Sequence, residues 1–194
     1  EYIVPGLCAM IVLFNSMQTS LSMVYDREMG SMKILLMSPI SRSFLLFCKL
    51  IAAACLSLLQ VIIFLLLANL VDVDIPWWGF IYAIPSIFLS AFFLGALGLV
   101  LSNFIKQLEN VAGVMNFVIF PMFFLWSALC PLWKIQESSL WLYWICQYNP
   151  FTYCVEMIRF ALYGQTNTNA SIIIISCVIV SGSLAVASFK PRKI

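Results

Sequence analysis

Five long apolar runs follow one another along the chain: Val4–Val24, Phe44–Val71, Trp77–Asn103, Val111–Leu132 and Ser171–Phe189. A helix needs about 20 mostly apolar residues to cross a bilayer, so each run predicts a spanning helix. They are separated by a charged segment from Tyr25 to Ser43, the tight turn "DVDIP", the loop "FIKQLEN" and a long aromatic stretch from Trp133 to Ala170. That last stretch is long enough for a sixth span. However, Asn149–Pro150 interrupts it, because proline lacks a donor and disfavours helix in the residue before it. Its second half also carries Glu156 and Arg159 at i and i+3. Two pieces of about a dozen residues suit a re-entrant or interfacial hairpin better than a crossing.

Charge agrees with five spans. One side then holds Arg27, Lys33, Arg42, Lys49, Lys106, Lys190, Arg192 and Lys193, and the other holds Lys134 and Arg159. Basic residues concentrate in cytoplasmic loops, which places Glu1 outside and the C-terminus in the cytoplasm. A sixth span would carry the C-terminal basic cluster outside and erase the bias. Trp77, Trp78, Trp133, Trp141 and Trp144 then gather at the outer interface, as an aromatic belt does.

The cytoplasmic segment Tyr25–Ser43 has helical periodicity of its own. Met29, Met32, Leu35 and Leu36 recur on one side, while Asp26, Arg27, Glu28 and Lys33 occupy the rest of the turn. This predicts an amphipathic surface helix of three turns, closed by Ser38–Pro39. Orientation alone asks only for Lys and Arg; the added acids suit docking into a groove on a partner.

Composition narrows the chemistry. Of 194 residues 63% are hydrophobic and 9% charged, and histidine is absent. The mean hydropathy is +1.04, far from a soluble domain. Without histidine the commonest general base and metal ligand is missing, and a net charge of +2 gives no sign of nucleic acid. The seven cysteines are scattered without CxxC spacing; Cys130, Cys146 and Cys154 share the outer side, where a disulfide can form. The chain starts at Glu1, with an apolar run almost at once and no signal-peptide pattern, and is read as lacking its natural N-terminus.

Within the spans, Asn15, Gln18, Thr19 and Ser22 form one polar stripe at helical spacing. It either bonds to neighbouring helices or, through Asn15, Gln18 and Ser22, lines a pathway. Ala91, Gly95, Gly98 and Ser102 make a small-residue face suited to close helix packing. No charge lies near the centre of a span, and Lys49, close to a helix start, can snorkel. A proton- or ion-coupled transporter is therefore disfavoured, and an apolar, aromatic pathway suits amphiphilic or lipid-linked cargo.

Two motifs carry a resemblance. Asp26-Arg27-Glu28-Met29-Gly30-Ser31, followed by Leu35-Leu36-Met37-Ser38-Pro39, resembles the first cytoplasmic loop of ABC-2 type permeases, the membrane subunits of a class of ABC exporters, with Asp26 in place of the usual Glu. The segment Asn149-Pro150-Phe151-Thr152-Tyr153 with Arg159, before the last span, is similar to a second feature of that family. The match runs over essentially the whole chain, read as a single transmembrane domain, 1–194, without the family's first span and its preceding interface helix.

The resemblance implies a polytopic all-α bundle in a bacterial plasma membrane. It implies that Asp26, Arg27, Glu28, Gly30, Ser31 and Lys33 belong to a coupling helix seated on an ABC ATP-binding subunit. It implies that Asn149, Pro150, Tyr153, Glu156 and Arg159 belong to an external re-entrant gate, within residues 133–170, and that a second permease copy, identical in a homodimer, completes the pathway. The chain contains no G-x-x-x-x-G-K-[ST] sequence, so ATP and Mg belong to the partner ATPase and no cofactor is expected here. Two alternatives are a lipid- or prenyl-modifying membrane enzyme, for which Asp72-x-Asp74 is the one acidic pair, and a passive membrane anchor.

Overall fold

The structure, a computed structural model, describes residues 3–31, 37, 41–70, 76–105, 110, 113–114, 116–117, 121 and 140–188. Every regular element among them is a helix: α1 (Ile3–Glu28), α2 (Arg42–Leu70), α3 (Trp77–Phe104), α4 (Leu140–Tyr148), α5 (Pro150–Leu162) and α6 (Thr168–Ser188). Four of these, α1, α2, α3 and α6, are long and apolar enough to cross a membrane. They correspond to four of the five predicted spans; the other, Val111–Leu132, lies almost wholly outside the described residues.

The first span is longer than its apolar run. α1 continues without a break through Tyr25, Asp26, Arg27 and Glu28, so these residues form its last turn instead of opening a separate surface helix. Helical bonding carries on to Met29, whose N–H donates to the Tyr25 carbonyl at 2.9 Å. The helix stops where Gly30 adopts a φ of +79°, the left-handed conformation that ends helices and that glycine accepts without strain. The rest of the predicted coupling helix, Met32–Leu36 and Ser38–Ile40, lies outside the described residues.

α3 is the central helix and packs against α1, α2, α5 and α6. Close approach is achieved by small residues, since lipid tails compete with side chains for apolar contact and give no hydrophobic drive between helices. A Cβ on Gly98 would stand 2.1 Å from Ser20 Oγ and 3.0 Å from the Ser16 carbonyl oxygen, so only glycine fits the α1–α3 seam. Ser16 and Ser20 satisfy their own hydroxyls on the carbonyls of Leu13 and Ser16. Gly95, one turn before Gly98, meets Leu50 of α2, and Ala91 and Ser102 are buried. The expected small-residue face is thus a packing face.

α1, α3 and α6 end together and α2 starts beside them, so α2 runs opposite to the other three; the contacts that show this are described below. At the far end Trp77 and Trp78 are more than two-thirds exposed, as interface tryptophans are. Along α2, Leu56, Leu59, Ile63, Leu66 and Leu67 are also exposed, a face that only lipid or another apolar surface accommodates.

Two short helices follow, and the second of them ends at the Trp77 end of α3. α4 is largely exposed, with Trp144 stacked on Tyr148 at 6.1 Å. α5, about 20 Å long at 1.5 Å per residue, is too short to cross a core of about 30 Å, yet it is deeply packed: Phe151, Thr152, Cys154, Val155 and Ile158 are all buried. Its last turn touches the start of α3, where a Cβ on Gly79 would lie 2.1 Å from the Leu162 carbonyl oxygen. Cys154, near its beginning, lies beside Ser90 and Cys177, in the middle of α3 and α6. Cys146 and Cys154 are both free thiols, so no disulfide joins them; Cys130 lies outside the described residues.

Gly79→Ala is expected to destabilise the protein by about 1–3 kcal/mol, the usual penalty of overpacking, because the obstacle is backbone. Gly182 has nothing within 4 Å of its would-be Cβ, so Gly182→Ala is expected to be neutral or to stabilise by up to about 1 kcal/mol through helix propensity. Thermal unfolding of the two variants in one detergent checks the contrast.

Candidate functional site

Where α1, α3 and α6 end, polar side chains join four helices. Lys49 of α2 forms an ion pair with Asp26 of α1. The next residue, Arg27, reaches across to α3: Nη1 donates to the Ser102 carbonyl at 3.1 Å and Nη2 donates to Asn103 Oδ1. Asn103 passes the connection on, since its Nδ2 donates to Ser188 Oγ at 2.8 Å and to the Ala185 carbonyl at 3.4 Å. The chain of contacts therefore runs α2–α1–α3–α6. Each link suits its place: the last carbonyls of a helix have no intrahelical partner, and a guanidinium satisfies one while gripping an amide with its second arm.

The exposed side of the same turn differs. Glu28, Met29 and Ser31 face outward, and Met29 is 64% exposed. The six residues predicted for ATPase coupling are thus divided. Asp26 and Arg27 point into the bundle, Glu28 and Ser31 point away, Gly30 turns the backbone, and Lys33 lies outside the described residues. Lys49, expected to snorkel, is instead paired with Asp26, both about one-quarter exposed.

At the opposite end, the break between α4 and α5 is built from its own residues. Asn149 caps α5, its Oδ1 accepting from the Phe151 N–H at 3.0 Å, and Pro150 occupies the first helical position, where no donor is needed. Thr152 Oγ1 donates back to the Cys146 carbonyl at 2.8 Å, tying the two helices together. A cavity of about 470 Å³ opens between α4, α5 and the start of α6, and Tyr153 and Glu156 line it. Burial pushes the Glu156 carboxyl up, and Arg159, one turn on, pulls it back; burial and the Glu156 charge together push the Tyr153 phenol up. Asn149, Pro150, Tyr153, Glu156 and Arg159 therefore belong to one helix and its cap, of which Tyr153 and Glu156 face the cavity.

Residues 1–163 match the family described as ABC-2 type transporter. The chain belongs to that family. It is 28% identical over 175 residues to a protein of Cyanophora paradoxa named "Putative transport permease ycf38", covering 86% of this chain and 57% of that protein. It is 29% identical over 172 residues to the protein of that name from Porphyra purpurea, covering 87% of this chain and again 57% of the relative. The chain thus spans just over half the length of these relatives. Membership of a transporter family, with four membrane-length helices, makes it a multi-pass membrane protein.

In this ABC-2 chain the polar stripe of α1 splits in two. Asn15 is buried and its Nδ2 donates to Gln60 Oε1 of α2, an interhelical bond. Gln18 and Ser22 are exposed on the surface of the single chain, and Thr19 bonds back to the Asn15 carbonyl. The Ser16/Ser20 seam, one residue away on the same helix, escaped the sequence reading because serine was weighed there as a polar group, whereas here it acts as a small one. Asn103 was missed as well; its signal is a doubly capable amide at the end of an apolar run, directly after Ser102 of the small-residue face. Asp72 and Asp74 lie outside the described residues.

Arg27→Met removes both bonds to α3 and is expected to lower stability by about 1.5–3 kcal/mol, the range for hydrogen bonds to a charged group. Met29→Ala, on the exposed side, is expected to stay within about 0.5 kcal/mol. Thermal unfolding in detergent compares them, and equal losses would contradict the inward and outward division of this turn.

Proposed function

We propose that this chain is the pathway-forming part of an exporter's membrane subunit, driven by a separate ABC ATP-binding subunit that carries ATP and Mg. The outward residues Glu28, Met29 and Ser31, with Lys33 in the following segment, dock on that subunit in the cytoplasm. Asp26 and Arg27 do not dock. They convert displacement of the docked turn into movement of α2, α3 and α6 together. The single observation that carries this reading is the contact chain from Lys49 through Asp26, Arg27 and Asn103 to Ser188, which passes through Asp26 and Arg27 of the family-like loop motif.

Three further assignments complete the proposal. The exposed Gln18 and Ser22 face a pathway shared with a second permease copy in a plasma membrane. The cargo is amphiphilic or lipid-linked, in keeping with the scarcity of charge within the spans. α4 and α5 form a re-entrant pair that covers the outer mouth. Supporting this last point, α5 is buried along most of its length although too short to cross, and lipid tolerates a broken helix only where protein surrounds it.

The test separates docking from transmission in the complete permease, reconstituted with its ATP-binding subunit. Glu28→Lys is expected to abolish co-purification of that subunit. Arg27→Gln is expected to leave co-purification and ATP hydrolysis in place while transport falls roughly tenfold, equivalent to about 1.4 kcal/mol of lost coupling. Unchanged transport with Arg27→Gln would overturn the transmission role, and retained co-purification with Glu28→Lys would overturn the docking role.

A further inference from the structure

The cavity between α4, α5 and α6 has a composition unlike the apolar bundle around it. Its polar walls are Tyr143 and Gln147 from α4, Tyr153 and Glu156 from α5, and Asn167 and Asn169 at the entry to α6. Its volume, about 470 Å³, lies within the range of small-molecule sites. Several of these groups are already committed. Asn167 Oδ1 accepts from the Ala170 N–H at 3.2 Å to cap α6, and Thr152, also at the wall, donates to Cys146. Gln147 Oε1 is different: it is buried and has no hydrogen-bond partner among the described residues. A buried carbonyl left so is destabilising, and a donor arriving from a ligand relieves it.

The charge in the cavity selects the kind of donor. Glu156 contributes a carboxylate to the lining, and among the described residues no lysine or arginine lines it. Anions such as phosphate or carboxylate are repelled by a like charge in a partly desolvated place. A cation with N–H groups meets both needs, the carboxylate and the unpartnered carbonyl. Tyr143 and Tyr153 add phenol oxygens and ring faces, which attract ammonium groups in particular. Position supplies the access route. α5, which carries Glu156, ends against Gly79 next to the exposed Trp77 and Trp78, and exposed tryptophans of this kind mark the depth at which lipid headgroups meet water.

We infer that this cavity is a binding site for a primary ammonium group, carried by a lipid headgroup or by a free amine, with Glu156 as counter-ion and Gln147 Oε1 and the two phenols as acceptors. The site is separate from the α1-end network, so it is tested by binding alone and stands or falls independently of ATP coupling.

The experiment uses the complete permease in nanodiscs of phosphatidylglycerol, with intrinsic tryptophan fluorescence as the readout, since Trp144 adjoins Tyr143 at 6.2 Å. Ethanolamine is expected to give a saturable change, and glycerol and inorganic phosphate none. Glu156→Gln is expected to weaken ethanolamine binding at least tenfold. Gln147→Glu, which adds a second carboxylate without emptying the wall, is expected to tighten it several-fold and keeps the test decisive if the first variant fails to fold. Native mass spectrometry after mixing in phosphatidylethanolamine separates the sources: retention of that lipid over phosphatidylglycerol, lost in Glu156→Gln, assigns the site to a headgroup, and ethanolamine binding without it assigns the site to free amines. Absence of any ethanolamine response, equal binding of glycerol, or indifference to both substitutions overturns the inference.

Discussion

The Arg27 guanidinium, held by the Ser102 carbonyl and Asn103 Oδ1, is the contact on which the arrangement of the long helices at this end depends. α1 carries no other basic residue, and Arg27 lies in its last turn, where a charge can be kept only with partners or with water. Turned inward it fixes the rotation of α1 about its own axis. That rotation sets Ser16 and Ser20 against Gly98, brings Asp26 to Lys49, and leaves Glu28 and Met29 outside. Because Asn103 also holds Ala185 and Ser188, the ends of α1, α3 and α6 form one tied group with the start of α2.

A second constraint acts at the other end. A helix that is broken and also buried keeps its shape only if the backbone groups freed at the break find internal partners. Asn149 and Thr152 do this at the start of α5. At its end, Gly164, with a φ of +71°, lets the Gly164 and Gln165 N–H groups donate to the Ala161 and Phe160 carbonyls. Asn167 then caps α6 through the Ala170 N–H. The region differs from a loop draped over the bundle: its second helix is part of the core, and its polar residues gather on the side that faces α4 and α6.

Much of this was legible in the sequence, and the reasons for the rest are physical. Apolar runs are long, uniform signals, so four spans fall within a few residues of their expected limits. Asn149–Pro150 is a local signal with a local cause, and the break stands where it was read. The end of α1 was misplaced because charge was taken as the sign of a boundary. A helix does not stop at Asp26 or Arg27 when both find partners on neighbouring helices; it stops at Gly30, where the backbone turns left-handed. Partnerships such as Arg27 with Asn103 or Asn15 with Gln60 join distant positions that no spacing rule connects. The cavity at Glu156 was likewise out of reach, since it needs α4, α5 and α6 in place at once.

If the Arg27–Asn103 contact transmits motion, the α1 end and the α6 end move as one. Spin labels at two exposed positions, Met29 and Val186, report it directly as a distance distribution in the complete permease with its ATP-binding subunit, before and after ATP is added. One narrow distance that ATP leaves unchanged is expected, and in Asn103→Ala a broader distribution that shifts on ATP addition. A distance that changes with ATP in the unmodified protein, to the same extent as in Asn103→Ala, would contradict it.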